Sequence, residues 1–264
     1  MHALIRTTAV AAGLVVTAGM AQAADIYTPP PEVIPVVPTI DWTGFYIGAH
    51  AGYGWASGDG TTSYRPNPAA FGANPFSAST DLDGFLGGVQ GGFNWQSGGF
   101  VGGVEADISW SGMDGSERVA PLSLFGGPAV PGWFQNQSGD IDWFGTVRVR
   151  AGFLATPEML LYATGGLAVA DVSYRTFTSF TPAPPFQYGA SASETATGWT
   201  VGAGAEWAFA PNWSVKAEYL YFDLGDLDYV APPRAPNPPF AVTQSFDTTG
   251  SIVRVGVNYR FSSY

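Results

Sequence analysis

Apolar and polar residues alternate with a period of two from Trp42 onward. In the stretch WTGFYIGAHAGYGW, Phe45, Ile47, Ala49, Ala51, Tyr53 and Trp55 share one face, and Tyr46, Gly48, His50, Gly52 and Gly54 share the other. Successive strand side chains point to opposite faces, so this pattern predicts a β-strand with one apolar face. The pattern recurs seven times. Residues 83–95 set Phe85, Val89, Phe93 and Trp95 against Gly88, Gln90 and Asn94. Residues 100–110 set Phe100, Val104, Ile108 and Trp110 against Glu105, Asp107 and Ser109. Residues 141–154 set Ile141, Trp143, Val147, Val149 and Phe153 against Asp142, Thr146, Arg148 and Arg150. Residues 159–170 are apolar on both faces, which leaves their phase open. Residues 198–209 oppose Trp199, Val201, Trp207 and Phe209 to Thr200 and Glu206. Residues 213–222 oppose Trp213, Val215, Tyr219 and Tyr221 to Lys216 and Glu218, and residues 249–261 oppose Ser251, Val253, Val255, Val257, Tyr259 and Phe261 to Arg254, Asn258 and Arg260.

Eight strands of about 10–14 residues exceed the ~5–6 usual in globular domains and match the ~9–11 that a tilted strand needs to cross a bilayer. The connections alternate strictly. Residues 96–99, 156–158 and 210–212 are short links, whereas 56–82, 111–140, 171–197 and 223–248 are long. This alternation predicts an all-β protein, an eight-stranded antiparallel up-and-down transmembrane β-barrel with short periplasmic turns and four long extracellular loops. An even strand number puts both ends of the chain on the short-turn side. The barrel domain is expected over 42–264.

Two segments precede it. Residues 1–23 combine Arg6, the apolar run Ala9 to Met20 and an Ala21-Gln22-Ala23 cleavage site, the pattern of a secretory signal peptide. Residues 24–41 carry Pro29, Pro30, Pro31, Pro35 and Pro38, which cannot support a strand ladder and predict an extended periplasmic leader. Peptidoglycan is the partner such a spacer would reach, although composition names none.

Composition sharpens the picture. Charged residues are 12% of the 264, aromatic residues 15%, and the formal net charge is -11. Removing the signal peptide takes Arg6 and no acid, which moves that charge to -12. An excess of acid with no Lys/Arg run excludes a nucleic-acid partner. The content of aromatics excludes a disordered chain. The strand faces then partition the charge. Charges facing lipid cost ~2–4 kcal/mol each near mid-depth, so those within strands must point inward. Glu105, Asp107, Glu206 and Glu218 therefore meet Arg148, Arg150, Lys216, Arg254 and Arg260 in the lumen, where a narrow interior forces them to pair. The expected result is an electrostatic plug; the competing reading is a selectivity-lined pore, for which the inward glycines leave room. Trp42, Trp55, Trp95, Trp110, Trp143, Trp199, Trp207 and Trp213 lie at strand ends, as two interfacial aromatic girdles require.

Catalytic and cofactor chemistry find little support. Cysteine is absent, and the processed chain has the single histidine His50, too little for a metal cluster or a hydrolytic triad on the outer surface. Asp223, Asp226 and Asp228 lack the spacing of a calcium loop and read as a solvated acidic loop, with divalent bridging to lipopolysaccharide phosphate as a hypothesis. Phe177, Phe180, Phe186 and Tyr188 are expected to pack on one another or to touch a partner. No catalytic, metal or cofactor-binding residue is assigned.

Several stretches carry a further signal: WTGFYIGAHAGYGW, GGFNWQSGGFVGGVEADISW, VRVRAG with LLYATGGLAVA, GWTVGAGAEWAFAPNWSVKAEYLYFDLG and the closing VRVGVNYRF. Together they resemble the small outer-membrane β-barrel family of alphaproteobacteria, the 25- and 31-kDa major outer membrane proteins and their rhizobial relatives. The resemblance covers most of 42–261. It implies a surface-exposed, structural protein of the bacterial outer membrane that contributes to envelope integrity. The partners it implies are outer-membrane lipid, lipopolysaccharide and, during biogenesis, the barrel-assembly machinery. Roles as a small-solute porin, a haemin binder or a host-surface binder follow some relatives, and no haemin-binding residue transfers to this chain. Barrels of this kind end on the aromatic of the last strand, here Phe261, whereas this chain continues to Tyr264.

Overall fold

The computed structural model describes residues 40–65, 76–119, 134–180, 186–231, 233–235 and 241–261; the segments expected as signal peptide and most of the leader lie outside them. Eight long strands form the barrel wall: β1 (Gly44–Arg65), β2 (Phe76–Ser97), β3 (Phe100–Val119), β4 (Phe134–Thr156), β5 (Met159–Phe180), β6 (Phe186–Ala210), β7 (Trp213–Ala231) and β9 (Ala241–Phe261). The three-residue β8 (Pro233–Ala235) adds onto the end of β6. Every pairing is antiparallel. β9 pairs with both β7 and β1, with Phe45 opposite Phe261, so the sheet closes on itself. Closure leaves no free edge, the condition for a sheet to lie in hydrocarbon. At one end Gly98–Gly99, Pro157–Glu158 and Pro211–Asn212 join strands by two-residue turns. Gly98 has a φ of 60°, the left-handed backbone that such tight turns require.

The strands run much further than the periodicity predicted. They reach 25 residues in β6, and the regions expected as long loops are largely strand. At ~3.3 Å per residue and a tilt of ~40°, a 22-residue strand rises ~55 Å, about twice the ~25 Å apolar band of such barrels. The outer wall marks where that band ends. From Phe45 to Trp55 on β1, and from Phe100 to Trp110 on β3, outward residues are exposed and apolar. Past the tryptophans the outward residues turn polar: Ser57 and Asp59 on β1, Asp114 and Ser116 on β3, Asp171 and Ser173 on β5.

The inward face inverts at the same height. Within the membrane band it carries the charges. Above it, Leu82, Leu86, Met113, Ile141, Phe144, Val172, Tyr174, Phe222, Leu224, Phe246 and Ile252 form one buried apolar cluster inside the barrel. The upper half is thus built like a soluble barrel, apolar within and wet without. This resolves the phase of residues 159–170. Leu160 and Tyr162 point inward to the lower end of the lumen, and Ala168 and Ala170 point inward to the upper cluster, so apolar residues occupy both faces.

Two sequence expectations are corrected. Ile141 and Asp142 exchange faces: an irregularity between Ile141 and Trp143 in the β4–β5 ladder places Ile141 in the core and Asp142 outside. An extra residue in one strand resets its alternation. Trp42 does not sit in a girdle. It is fully buried just before β1, in a lower cluster with Val101, Leu160, Tyr162 and Ala208. Its backbone N–H donates to Gln96 Oε1 at 2.8 Å and its indole Nε1–H donates to the Pro157 carbonyl at 3.1 Å. Arg260 stacks over the indole at 4.4 Å and donates to the Asp41 and Pro211 carbonyls. Trp42 lies over the barrel mouth at the tight turns, and the Trp42–Arg260 stack links residues at or beside all three of them.

Trp42→Ala is expected to destabilise the barrel by about 3–5 kcal/mol, the cost of truncating a buried tryptophan, read as a lowered urea midpoint in micelles followed by heat-modifiable gel mobility.

Candidate functional site

The inward alternation of β3, β4, β6, β7 and β9 brings four acids and four bases to one level of the lumen. Glu105 is the hub. It accepts from Arg148 Nη2, receives Lys216 Nζ on both oxygens at 2.8 Å each, and accepts from Tyr46 Oη at 2.6 Å. Asp107 takes Arg254 Nη1 at 3.0 Å, Arg148 Nη2 at 3.0 Å and the Thr146 hydroxyl. Glu218 takes Arg254 Nε at 2.7 Å and lies 3.1 Å from Arg148 Nη1. Glu206 takes Arg150 Nη2 at 2.7 Å, the Ser214 hydroxyl at 2.6 Å and Asn258 Nδ2 at 2.9 Å. All eight side chains are buried. Charge-assisted bonds of this kind are the strong ones, and the low-dielectric interior makes a lost partner costly.

Arg260, grouped with this network from its inward parity, lies instead at the periplasmic mouth. It donates to main-chain carbonyls and stacks on the Trp42 ring. The network itself is therefore balanced, four charges against four. Several members carry no charge. Tyr46 bridges Glu105 and Arg150, and Tyr162 donates to Glu218 at 3.0 Å while Arg150 stacks on its ring at 4.1 Å. A Cβ on Gly92 or Gly204 would lie 2.5 or 2.6 Å from these two phenol oxygens, so the inward glycines make room for tyrosines. A lone inward tyrosine opposite glycine was the available clue. His50, the inward histidine, is buried with Nε2 2.7 Å from Ser109 Oγ.

The other tryptophans lie on the outer wall. Trp55, Trp95, Trp110, Trp199, Trp207 and Trp213 are exposed there, and Trp143 is half-buried opposite Trp110. Trp95, Trp207 and Trp213 cluster near the tight turns, whereas Trp55, Trp110, Trp143 and Trp199 mark the opposite limit of the apolar band.

Just above that limit the wall becomes acidic. Asp223 and Asp226 stand on β7 rather than in a loop, and Asp247 on β9 lies in register with both Asp226 and Asp59. Asp228 falls on the same strand. Partial desolvation and then the charges of Asp223, Asp226 and Asp59 raise the Asp247 carboxyl above its ordinary range. Among the described residues no group of His, Cys, Asp and Glu is arranged to hold a metal ion. Phe177 packs against Phe134 at 6.1 Å; the side chains of Phe180, Phe186 and Tyr188 lie outside the described residues.

The chain is similar to known proteins. The family described as "Outer membrane protein beta-barrel domain" matches residues 9–261. The 31 kDa outer-membrane immunogenic protein of Brucella melitensis is 36% identical over 255 residues, which cover 91% of this chain and 93% of that protein. The 22 kDa outer membrane protein of Rhizobium leguminosarum bv. viciae is 34% identical over 195 residues, 74% of this chain and 70% of that protein. Among solved structures, OprG of Pseudomonas aeruginosa aligns with a TM-score of 0.48 at 13% identity, over 84% of this chain and 97% of that one.

Two outcomes are expected. Glu105→Gln strands Lys216 and Arg148 and costs about 3–5 kcal/mol, measured by urea unfolding; adding Lys216→Met recovers part of that loss. Asp247→Asn relieves a like-charge cross-strand contact and adds roughly 0.2–1 kcal/mol at neutral pH. A raised folded-state value penalises the ionised fold at high pH, so this gain fades as pH falls below the ordinary carboxylate range. Paired urea curves at pH 7 and pH 3.5 check it.

Proposed function

The chain belongs to the outer membrane protein β-barrel family, and from that premise we propose that it is a structural, surface-exposed protein of the outer membrane that contributes to envelope integrity and conducts nothing. One observation carries this reading, the layering of the lumen. The balanced charge network lies between two apolar layers, with the Trp42 cluster below it and the Phe144–Phe222–Phe246 cluster above it. An eight-stranded barrel has an interior just wide enough for its own side chains. Ions would have to displace buried ion pairs and then cross a dry apolar layer at either end, where desolvation is severe.

The height of the wall supports surface exposure. About half of each strand rises above the aromatic limit, well clear of the leaflet. The Brucella relative is named an immunogen; a tall polar wall is a form that presents epitopes.

Planar-bilayer recording of the refolded full chain tests the closed lumen. No discrete conductance is expected. Reproducible openings that change selectivity on Arg148→Gln would establish the porin-like reading instead. For envelope integrity, a deletion strain is expected to gain sensitivity to bile salts and vancomycin, restored by the wild-type gene; unchanged sensitivity would overturn that role.

A further inference from the structure

The outward face of the upper wall carries one region unlike the rest. On β3, β4, β5 and β6 two neighbouring outward rows lie side by side. The lower row runs Ser116, Ser138, Arg175 and Ser191, and the upper row runs Arg118, Asn136, Phe177 and Gly189. These residues line a cleft of about 590 Å³, within the range of small-ligand sites.

The chemistry of the cleft is specific. Arg118 and Arg175 are exposed, and among the described residues neither has a carboxylate partner. They stand two strands and one pleat apart, roughly 10 Å across and 7 Å along the wall. Between them lie the Asn136 amide and the Ser138 hydroxyl. The Arg118 guanidinium stacks 4.3 Å over the Phe134 ring, which in turn meets Phe177. Stacking holds the guanidinium plane in place and leaves its edge free to donate. Glu117 also borders the cleft, and Asp114 and Asp140 pair one step below it. Lower on the wall stand acids such as Asp59, Asp226 and Asp247, so the two arginines form a cationic patch above an acidic collar.

Two cations, one of them held by stacking, with hydroxyl and amide groups and an aromatic face, together match a saccharide that carries an anionic group. Guanidinium takes the anion, Ser and Asn take ring hydroxyls, and the Phe ring takes the apolar face of a pyranose. The position selects the source. The cleft opens sideways, six to eight residues above the Trp110–Trp143 pair, or roughly 15–20 Å along a tilted strand. In an outer membrane that height faces the sugars of the surrounding glycolipid. We propose that this cleft binds a phosphorylated sugar of the lipopolysaccharide core, seating the barrel in its leaflet. The proposal rests on the outer-membrane placement and not on the closed lumen.

The test uses the refolded full chain in micelles and isothermal titration with phosphorylated core oligosaccharide released from rough lipopolysaccharide. Saturable binding is expected, weakened about tenfold by Arg118→Gln and again by Arg175→Gln, as loss of a charged hydrogen bond implies. Dephosphorylated core should bind at least about tenfold more weakly by the same reasoning, and Asp59→Asn should change nothing. Heat-modifiable mobility checks that each variant is folded. Unaltered affinity in the double arginine variant, or equal binding of dephosphorylated core, overturns the site. A sulfated glycosaminoglycan fragment that displaces the core oligosaccharide at lower concentration overturns the glycolipid source. Bilayer recordings of the same variants remain closed in every case, so failure here leaves the sealed-barrel reading intact.

Discussion

Charges enclosed in a narrow lumen must neutralise one another, and much of this barrel follows from that constraint. Glu105, Asp107, Glu206 and Glu218 face Arg148, Arg150, Lys216 and Arg254 within one layer. Paired ions fill the volume more completely than solvated ones and hold opposite walls of the barrel at fixed separation. The Glu105–Lys216 contact crosses from β3 to β7, and Asp107–Arg254 from β3 to β9. Strand neighbours alone could not supply such contacts, since ladders join only adjacent strands. The tyrosines and glycines of this layer are subordinate to it. Tyr46 and Tyr162 add a hydrogen bond to carboxylate oxygens that already meet a cation, and Gly92 and Gly204 clear the space their rings need.

A second organising feature is the inversion of polarity at the outer aromatic limit. Below it, hydrocarbon outside demands apolar side chains, and the polar ones are driven into the lumen. Above it, water outside accepts Ser, Thr and Asp, and the lumen is free to become an ordinary hydrophobic core. The same eight strands pass through both regimes with no change in pleat, so only the assignment of residue types to faces changes. The apolar cluster around Phe144 and Phe222 (4.9 Å between ring centres) therefore serves two ends at once. It stabilises the projecting wall, and it stops the lumen above the charge layer.

This inversion also explains what the sequence displayed and what it hid. The number of strands, the three tight turns and the inward parity of the charges were legible because a membrane wall imposes strict alternation with large residues. The upper strands were hidden because their outward residues are Ser, Thr, Asp and Gly, the same types that mark loops. The alternation persisted there in Leu82, Met113, Val172, Tyr174 and Phe246, at a lower contrast. Ile141 was misplaced because an extra residue resets the phase without leaving a compositional mark. Trp42 was misplaced because tryptophan near a strand start suits a headgroup belt and a buried lid equally; only the Gln96, Pro157 and Arg260 partners, distant in sequence, decide between them. Arg260 shared the parity of the network but sits too near the mouth to reach its acids, a matter of height that parity does not encode.

On the proposed reading of a sealed lumen, the inner surface serves stability and the outer surface carries whatever the protein recognises. That surface is not uniform. The apolar band needs only area and accepts any lipid chain, whereas the wall above it has fixed rows of side chains whose spacing is set by the ladder. Rows on adjacent strands lie ~4.8 Å apart and successive outward residues ~7 Å apart, a grid close to the spacing of hydroxyl and acidic groups on a sugar. A rigid grid of this kind loses little entropy on binding, which is the advantage of building a site on strands rather than on loops. Arg118 and Arg175 occupy two points of that grid, with Asn136 and Ser138 between them, on the part of the wall that the charge network and the apolar core beneath hold in shape.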